Sequence, residues 1–171
     1  MRGSRFIAAL WVMASSAGAL AIAADPSDKE LARQLVEIMG ADRRAADQMH
    51  GMADAQFRDG TIKLAQRECI RHVGREEFTE RLANLVEQRL KPDEMRDGIA
   101  YFTSEVGRKH LAAIEQKASV AAEDWPERRA FLDTTAGYLL ITRGLVTSSD
   151  EAARLVLLFT GRRFRECARP A

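Results

Sequence analysis

The sequence predicts an all-α fold, a compact bundle of about five to seven helices after an N-terminal signal peptide. Three observations indicate this fold. Apolar residues recur at spacings of three and four rather than two. Capping residues, glycines and prolines stand where helices are expected to begin and end. An uncharged N-terminal stretch gives way abruptly to polar sequence.

The N-terminal stretch has the pattern of a secretory signal peptide. Two arginines precede an uncharged segment, residues 6–23, which ends in Ala-Ile-Ala. Positive, apolar and small-x-small regions in this order are typical of a cleaved leader. An uncleaved membrane anchor is the alternative, because about 18 apolar residues can span a bilayer. We expect residues 1–23 to be removed and residues 24–171 to form one exported, periplasmic helical domain without a membrane span.

The charge balance argues against nucleic acid as a partner. The chain has 26 basic and 25 acidic residues. Without Arg2 and Arg5 the count becomes 24 against 25, a net charge of −1. Such a chain has no bulk electrostatic attraction to phosphate. It is also long enough to bury its own core without a metal or cofactor, and none is expected.

In the first half of the domain, local signals mark two helices. Ser27 and Glu30 form a capping box, in which each side chain binds the other residue's backbone N–H. The helix that follows is expected to stop at Gly40. The alanine- and charge-rich stretch 41–73 predicts one long helix, continuous or interrupted, that ends near Gly74.

The central helices carry clear start signals. Residues 75–90 place their apolar side chains on one face, with acids early and cations late, as the helix dipole prefers. Pro92 begins the next helix, because its missing N–H costs nothing at that position. The sequence leaves open whether this helix breaks near Gly107 or continues through it. Trp125 and Pro126 predict a kinked corner packed on the core.

The last third of the chain predicts two further helices. The first covers residues 127–141, and a turn at Gly144 follows it. Ser148 and Glu151 form a second capping box. The run Leu155–Phe159 is apolar at five successive positions. Because such a run covers every side of a helix, the last helix is expected to lie at the centre of the bundle.

The two cysteines, Cys69 and Cys167, predict a disulfide. An even cysteine pair in an exported protein favours a bond. The bond would join the last helix to an early one and close a long loop. Two separate thiols remain the alternative, because sequence alone does not establish the geometry.

The decamer YFTSEVGRKH, residues 101–110, contains residue types that could belong to a catalytic loop. Gly-x-Ser-x-Gly is absent, and a lone glycine does not form a phosphate-binding loop. Tyr101 and Phe102 are interpreted as the aromatic end of a core face. Thr103 and Ser104 are interpreted as turn or cap residues. The stretch therefore predicts a junction between two helices.

The same stretch resembles a motif of an exported bacterial family, the domain of unknown function 2059. That motif is an aromatic pair, one residue, Ser-Pro, one residue, then Gly-Arg/Lys-Lys. The matching positions here are Tyr101, Phe102, Ser104, Gly107, Arg108 and Lys109. The aromatic order is reversed, and Glu105 replaces the proline, so the helix could continue there. The resemblance implies a signal peptide and an all-helical fold, and it implies no established activity.

Two other clusters of residues invite a functional interpretation. His72 shares a helix face with Glu68, Cys69 and Glu76, as a zinc site could require. A complete site would also need His50 or His110 from another helix, and no zinc motif is present. We therefore predict no metal site. At the C-terminus, cations could contact anionic lipid or glycan or could only complement a helix end: Arg162, Arg163 and Arg165.

We expect a non-catalytic helical protein that binds another envelope component, because amphipathic helices are abundant and no catalytic motif is present. A carrier or sensor of a small apolar or amphipathic ligand is the alternative. In that case an adaptable pocket would be lined by methionines, namely Met39, Met49, Met52 and Met95. An enzyme that uses the histidines and carboxylates is a third possibility. The identity of the partner or ligand does not follow from the sequence.

Overall fold

The computed structural model describes residues 26–116, 119 and 121–169. The predicted signal peptide lies outside these ranges. Within them the helices are α1 (Asp28–Ile38), α2 (Ala41–Arg58), α3 (Leu64–Arg71), α4 (Glu76–Arg89), α5 (Pro92–Thr103), α6 (Glu105–Gln116), α7 (Trp125–Leu132), α8 (Thr135–Gly137) and α9 (Asp150–Cys167). A 3-10 turn, Ala122–Asp124, precedes α7, and a π-helical turn, Tyr138–Thr142, follows α8. The predicted all-α bundle is confirmed.

Several helix boundaries follow the local signals in the sequence. The Glu30 N–H donates to Ser27 Oγ at 3.3 Å, and the Ser27 N–H donates to Glu30 Oε2 at 2.7 Å. Gly40 adopts a left-handed conformation with φ of 63° and ends α1. Pro92 is the first residue of α5. In the described part of the chain, no helix is long and apolar enough to cross a membrane.

The main core surrounds α1, which packs between α4 and α5. Several of its fully buried side chains come from these three helices: Leu35, Val36, Leu82, Val86, Met95 and Phe102. Burial of each such side chain contributes about 1.5–3 kcal/mol. The main core therefore holds the first, fourth and fifth helices together.

A second core joins α2, α3, α4 and α9. Met49, Ile70, Phe78 and Phe159 are buried there. The rings of Phe78 and Phe159 meet edge to face, with centroids 4.9 Å apart. The Cys69 and Cys167 sulfurs are bonded at 2.07 Å and tie α3 to the end of α9. The disulfide predicted from the sequence is thus present.

The predicted long helix over residues 41–73 is divided into α2 and α3. The chain turns at Gly60, which has a φ of 74°. The backbone N–H groups of Thr61 and Ile62 both donate to the Gln56 carbonyl. This turn allows α3 to pack against α2.

The predicted helix over residues 127–141 is wrong as a single element. It is divided into α7, α8 and the π-helical turn, because Thr134 begins a new helix. The second capping residue is also displaced by one position. The Ala152 N–H donates to Ser149 Oγ at 3.1 Å, so Ser149 caps α9 instead of Ser148.

The predicted central position of the last helix is wrong. Phe159 is buried, but Leu157 and Leu158 are 65% and 62% exposed. The reason is that α9 packs on α3 and α4 and leaves its opposite side uncovered. Trp125 is likewise half exposed rather than packed on the core, and Arg128 lies over its ring.

Candidate functional site

The helix does break within the stretch 101–110. Helix α5 ends at Thr103, and Ser104 adopts an extended conformation with a ψ of 166°. Helix α6 begins at the next residue. The Gly107 N–H donates to Ser104 Oγ at 3.0 Å, which satisfies a backbone donor at the start of α6. A capping serine therefore forms this corner, although the stretch lacks the proline of the family motif that it resembles.

Gly107 allows the two helices to approach closely at this corner. A Cβ atom at this position would lie 1.9 Å from the carbonyl oxygen of Tyr101. Atoms that are not bonded cannot occupy such a distance, so another residue here would displace the backbone. The glycine is a requirement of the corner rather than part of a phosphate-binding loop.

A second corner repeats this geometry between α7 and α8. The Gly137 N–H donates to Thr134 Oγ1 at 3.0 Å. A Cβ atom on Gly137 would lie 1.9 Å from the carbonyl oxygen of Phe131. The two corners share the pattern aromatic-x-x-Ser/Thr-x-x-Gly, which the printed sequence contains but our sequence interpretation missed.

Tyr101 and His110 form a buried polar pair beneath the first corner. The Tyr101 hydroxyl and His110 Nδ1 lie 2.9 Å apart. Burial raises the pKa of Tyr101 to about 12 and lowers the pKa of His110 to about 4. Nearby Arg128 further lowers the pKa of His110 by charge repulsion. Both groups are therefore neutral near pH 7, and the pair supports packing rather than proton transfer at that pH.

The other residues that match the family motif also stabilise the corner between α5 and α6. Phe102 is buried in the main core. Arg108 donates to the Thr103 carbonyl. Lys109 forms ion pairs with Glu105 at 3.2 Å and Asp124 at 3.4 Å. Because the polar side chains already have partners within the chain, the motif holds α5 against α6.

The three histidines occupy separate hydrogen-bonded positions. His50 Nε2 lies 3.2 Å from the Val73 carbonyl, and His72 Nδ1 lies 2.7 Å from the Glu68 carbonyl. His110 pairs with Tyr101. Among residues 26–116, 119 and 121–169, no group of three or more His, Cys, Asp or Glu side chains could hold a metal ion.

The predicted C-terminal arginine cluster is divided between different roles. Arg162 pairs with Glu166 at 2.9 Å. Arg163 pairs with Glu77 and Glu166, and these hydrogen bonds raise its pKa. Arg165 is exposed, with no ion pair to any described residue. The three side chains therefore do not form one free anion-binding patch.

A partly enclosed groove with a mainly apolar lining lies between α2 and α9. It encloses about 270 Å³. The lining residues are Ala41, Arg44, Ala45, Gln48, Met52, Val146, Thr147, Ala152, Ala153, Val156, Leu157 and Thr160. Of the four methionines predicted to line a pocket, Met52 lies here, whereas Met39, Met49 and Met95 are buried in the two cores.

Arg44 gives the groove its charge. Of the described lining residues, Arg44 alone carries a formal charge at neutral pH. Its side chain is about one-third exposed, and the nearest Glu115 oxygen lies at the edge of ion-pair distance, 3.8 Å. Burial lowers the pKa of this guanidinium, as expected for a cation with incomplete hydration. A carboxylate placed in the groove would find a partially unsatisfied cation.

Sequence analysis missed this groove because its lining comes from α2, from the turn before α9 and from α9, and these segments are distant in the chain. The alanine-rich stretch 41–73 predicted only a helix, and no cavity, at Ala41 and Ala45. No protein-family model, curated protein or solved structure matches the chain. The geometry described above is therefore the basis for assigning a function.

Proposed function

We propose that this is an exported, periplasmic and non-catalytic helical protein that binds another envelope component through the α2–α9 groove. One observation carries the proposal. Met52 on α2 and Leu157 on α9 are both exposed, at 37% and 65%, on either side of an apolar depression. Exposed apolar side chains that border a groove are typical of interaction sites.

The disulfide supports the proposed compartment. Cys69 and Cys167 are bonded although they lie 98 positions apart in the sequence. Such bonds persist in oxidising compartments and are rare in the cytosol of most cells. The secretory pattern in residues 1–23 agrees with this assignment. Kinship with the exported family of unknown function remains a prediction.

The chemistry of the groove indicates what kind of partner it binds. Its floor consists largely of alanine, which leaves room for side chains brought in by another molecule. Arg44 at its border favours an acidic group. We therefore infer an amphipathic segment of an envelope protein, with apolar side chains in the groove and Asp or Glu beside Arg44. Helix-in-groove recognition places apolar anchors in this manner.

Site-specific photo-crosslinking tests the proposal. A photoreactive residue at Met52 is expected to capture a reproducible envelope protein in living cells. Ile114 is a matched control, because it is 47% exposed and does not line the groove. Ala153→Trp would fill the groove from an exposed position and is expected to remove the cross-link. Ala100→Trp, at an exposed position on α5, is its control.

Two results would contradict this function. One is an identical cross-linking pattern from Met52 and Ile114. The other is a Met52 cross-link that survives Ala153→Trp. Arg44→Glu adds a test of the partner's charge, because it is expected to weaken capture of an acidic segment and to leave the fold intact.

Binding of a small amphipathic anion is the second candidate, favoured by the same apolar groove and by Arg44. Its volume of about 270 Å³ lies just below the usual range for small-molecule pockets, which begins near 300 Å³. This size favours a protein segment. Calorimetric titration with a medium-chain fatty acid distinguishes the two, since saturable binding that Arg44→Glu abolishes would support the carrier.

A further inference from the structure

A ridge along the outer side of α9 has no partner in the described chain. We define the ridge as six residues that follow one another on the same helix face: Asp150, Arg154, Leu157, Leu158, Gly161 and Arg165. All except the half-buried Gly161 are exposed. The ridge separates the α2–α9 groove from a second depression, which Leu158 borders together with α4.

The charged residues of the ridge also lack partners among the residues that the structure describes. Within the described ranges, no ion pair or side-chain hydrogen bond involves Asp150, Arg154 or Arg165. The helix dipole accounts for an acid at the first position and a cation near the last. It does not account for two adjacent leucines exposed halfway between them.

Gly161 is a second feature that the fold leaves unexplained. It lies inside α9, where glycine costs about 1 kcal/mol relative to alanine. An added Cβ would meet only the flexible end of Arg165, at 3.5 Å. Gly51 in α2 also lies in open space, so a free glycine alone identifies no partner. At Gly161 the free space coincides with exposed leucines and unpaired charges.

When two copies of α9 lie antiparallel, the ridge residues of one copy face ridge residues of suitable charge and size on the other. In two antiparallel helices, residues at equal distances from the midpoint lie opposite each other. A midpoint between Leu157 and Leu158 places Asp150 opposite Arg165, because both are equally distant from it. The same pairing places Leu157 opposite Leu158 and Arg154 opposite Gly161.

We propose that this ridge pairs antiparallel with the ridge of a second copy, so that α9 forms a two-fold homodimer. Each interface contains two Asp150–Arg165 ion pairs at its ends and four leucines at its centre. Because Gly161 has no side chain, the aliphatic part of Arg154 from one copy can pack close to the helix backbone of the other copy. A two-fold interface requires such self-complementarity, with each residue facing its counterpart twice.

The expected dimer is weak. One pair of helices buries less surface than the roughly 1,200 Å² at the lower end of stable interfaces. We therefore expect a reversible monomer–dimer equilibrium at micromolar concentrations and above. The proposal goes beyond the groove function and does not depend on it. Leu157 borders both the ridge and the groove, but the residues substituted in the tests below, Asp150, Leu158 and Arg165, do not line the groove.

Sedimentation equilibrium of the purified protein over a concentration series tests the dimer. The wild type is expected to show concentration-dependent association. Leu158→Asp is expected to remain monomeric, because it places charge at the apolar centre. Leu64→Asp is a matched control on α3, where Leu64 is 55% exposed and lies outside the ridge; it is expected to associate like the wild type.

Charge exchange provides the sharper test. Asp150→Arg and Arg165→Asp are each expected to associate more weakly than the wild type. An equimolar mixture of these two variants is expected to form heterodimers, because one of its two end pairs regains opposite charges as Arg against Asp and the other keeps the native pair. The chain that carries both substitutions is expected to regain self-association. Thermal unfolding confirms that each variant is folded.

A wild type that stays monomeric at every concentration would overturn the proposal. So would association that Leu158→Asp leaves unchanged, or a mixture of the two charge variants that does not associate. A monomer that sediments with anionic phospholipid vesicles through Arg154 and Arg165 would instead assign the ridge to a membrane surface. In each case the cross-linking test at Met52 still decides the groove function separately.

Discussion

The rings of Tyr101 and Phe131 stack face to face, with centroids 3.9 Å apart and planes 10° from parallel. Each ring belongs to the aromatic position of one helix corner. The corners α5–α6 and α7–α8 therefore meet through equivalent residues. This contact couples two local motifs into one unit at the edge of the main core, where Phe102 packs edge to face on Phe131.

Alanine at either corner glycine is expected to destabilise the fold strongly. Gly107→Ala and Gly137→Ala would each place a methyl carbon 1.9 Å from a carbonyl oxygen, far inside van der Waals contact, and the backbone must shift to admit it. We expect each to lower the free energy of unfolding by at least about 3 kcal/mol. Urea unfolding measures the loss. Gly51→Ala is the control, since nothing lies within 4 Å of its added Cβ and its stability should be unchanged or higher.

Loss of a corner cap is expected to cost less. Ser104→Ala and Thr134→Ala remove the oxygen that accepts from the N–H of the corner glycine. Each is expected to cost about 1 kcal/mol, the usual value of a helix N-cap. Ser104→Thr should retain most of that stability in the same urea measurement. Equal stability of wild type and Ser104→Ala would show that the cap contributes nothing to the corner.

The two cysteine variants are expected to be equivalent. Cys69→Ser and Cys167→Ser each remove the same bond and should each lower stability by about 2–4 kcal/mol. The double variant should cost little more than either single one. Denaturant unfolding of all three under oxidising conditions makes the comparison, and strictly additive losses would contradict the shared bond.

Stability is expected to depend on pH through His110. Its pKa is lowered from about 6.5 in the unfolded chain to about 4 in the fold, mainly by burial. The unfolded state therefore binds a proton first as the pH falls. The stabilising effect of a neutral His110 is complete above about pH 6.5 and is lost progressively down to about pH 4.

The size of this pH effect can be measured by substitution. A difference of this kind corresponds to about 1.4 kcal/mol for each unit of pKa, or on the order of 3 kcal/mol in total. His110→Gln keeps a polar group near Tyr101 but cannot take up a proton. Its free energy of unfolding should vary less between pH 7 and pH 4.5 than that of the wild type. Parallel profiles for the two proteins would exclude His110 as the source.

Local signals in the sequence were sufficient for much of the fold. The Ser27 capping box, the stop at Gly40 and the start at Pro92 depend on residues within one helical turn of each other. The disulfide was also predicted correctly, because two cysteines allow only one intramolecular pair. The corner at Ser104 remained open, since a capping serine and a continuous helix are both compatible with Glu105.

The side of a helix that becomes buried depends on its neighbours, and local signals do not specify these. The apolar run in α9 predicted burial on all sides, yet α9 has neighbours on one side and leaves Leu157 and Leu158 exposed. For the same reason, Arg162 and Arg163 form ion pairs within the chain, whereas Arg165 has no ion pair to a residue that the structure describes. The α2–α9 groove could not be predicted because α2 and α9 lie far apart in sequence.

The sequence by itself determined that the chain is helical, where several helices start, and which two sulfurs can bond. These properties arise from periodicity, capping and cysteine number, which act over short distances or leave no choice. The tertiary structure alone decided that the two aromatic corners stack, that His110 is buried beside Tyr101, and that an apolar ridge faces outward. Those outcomes depend on how helices pack around two cores, because packing assigns each side chain its surroundings.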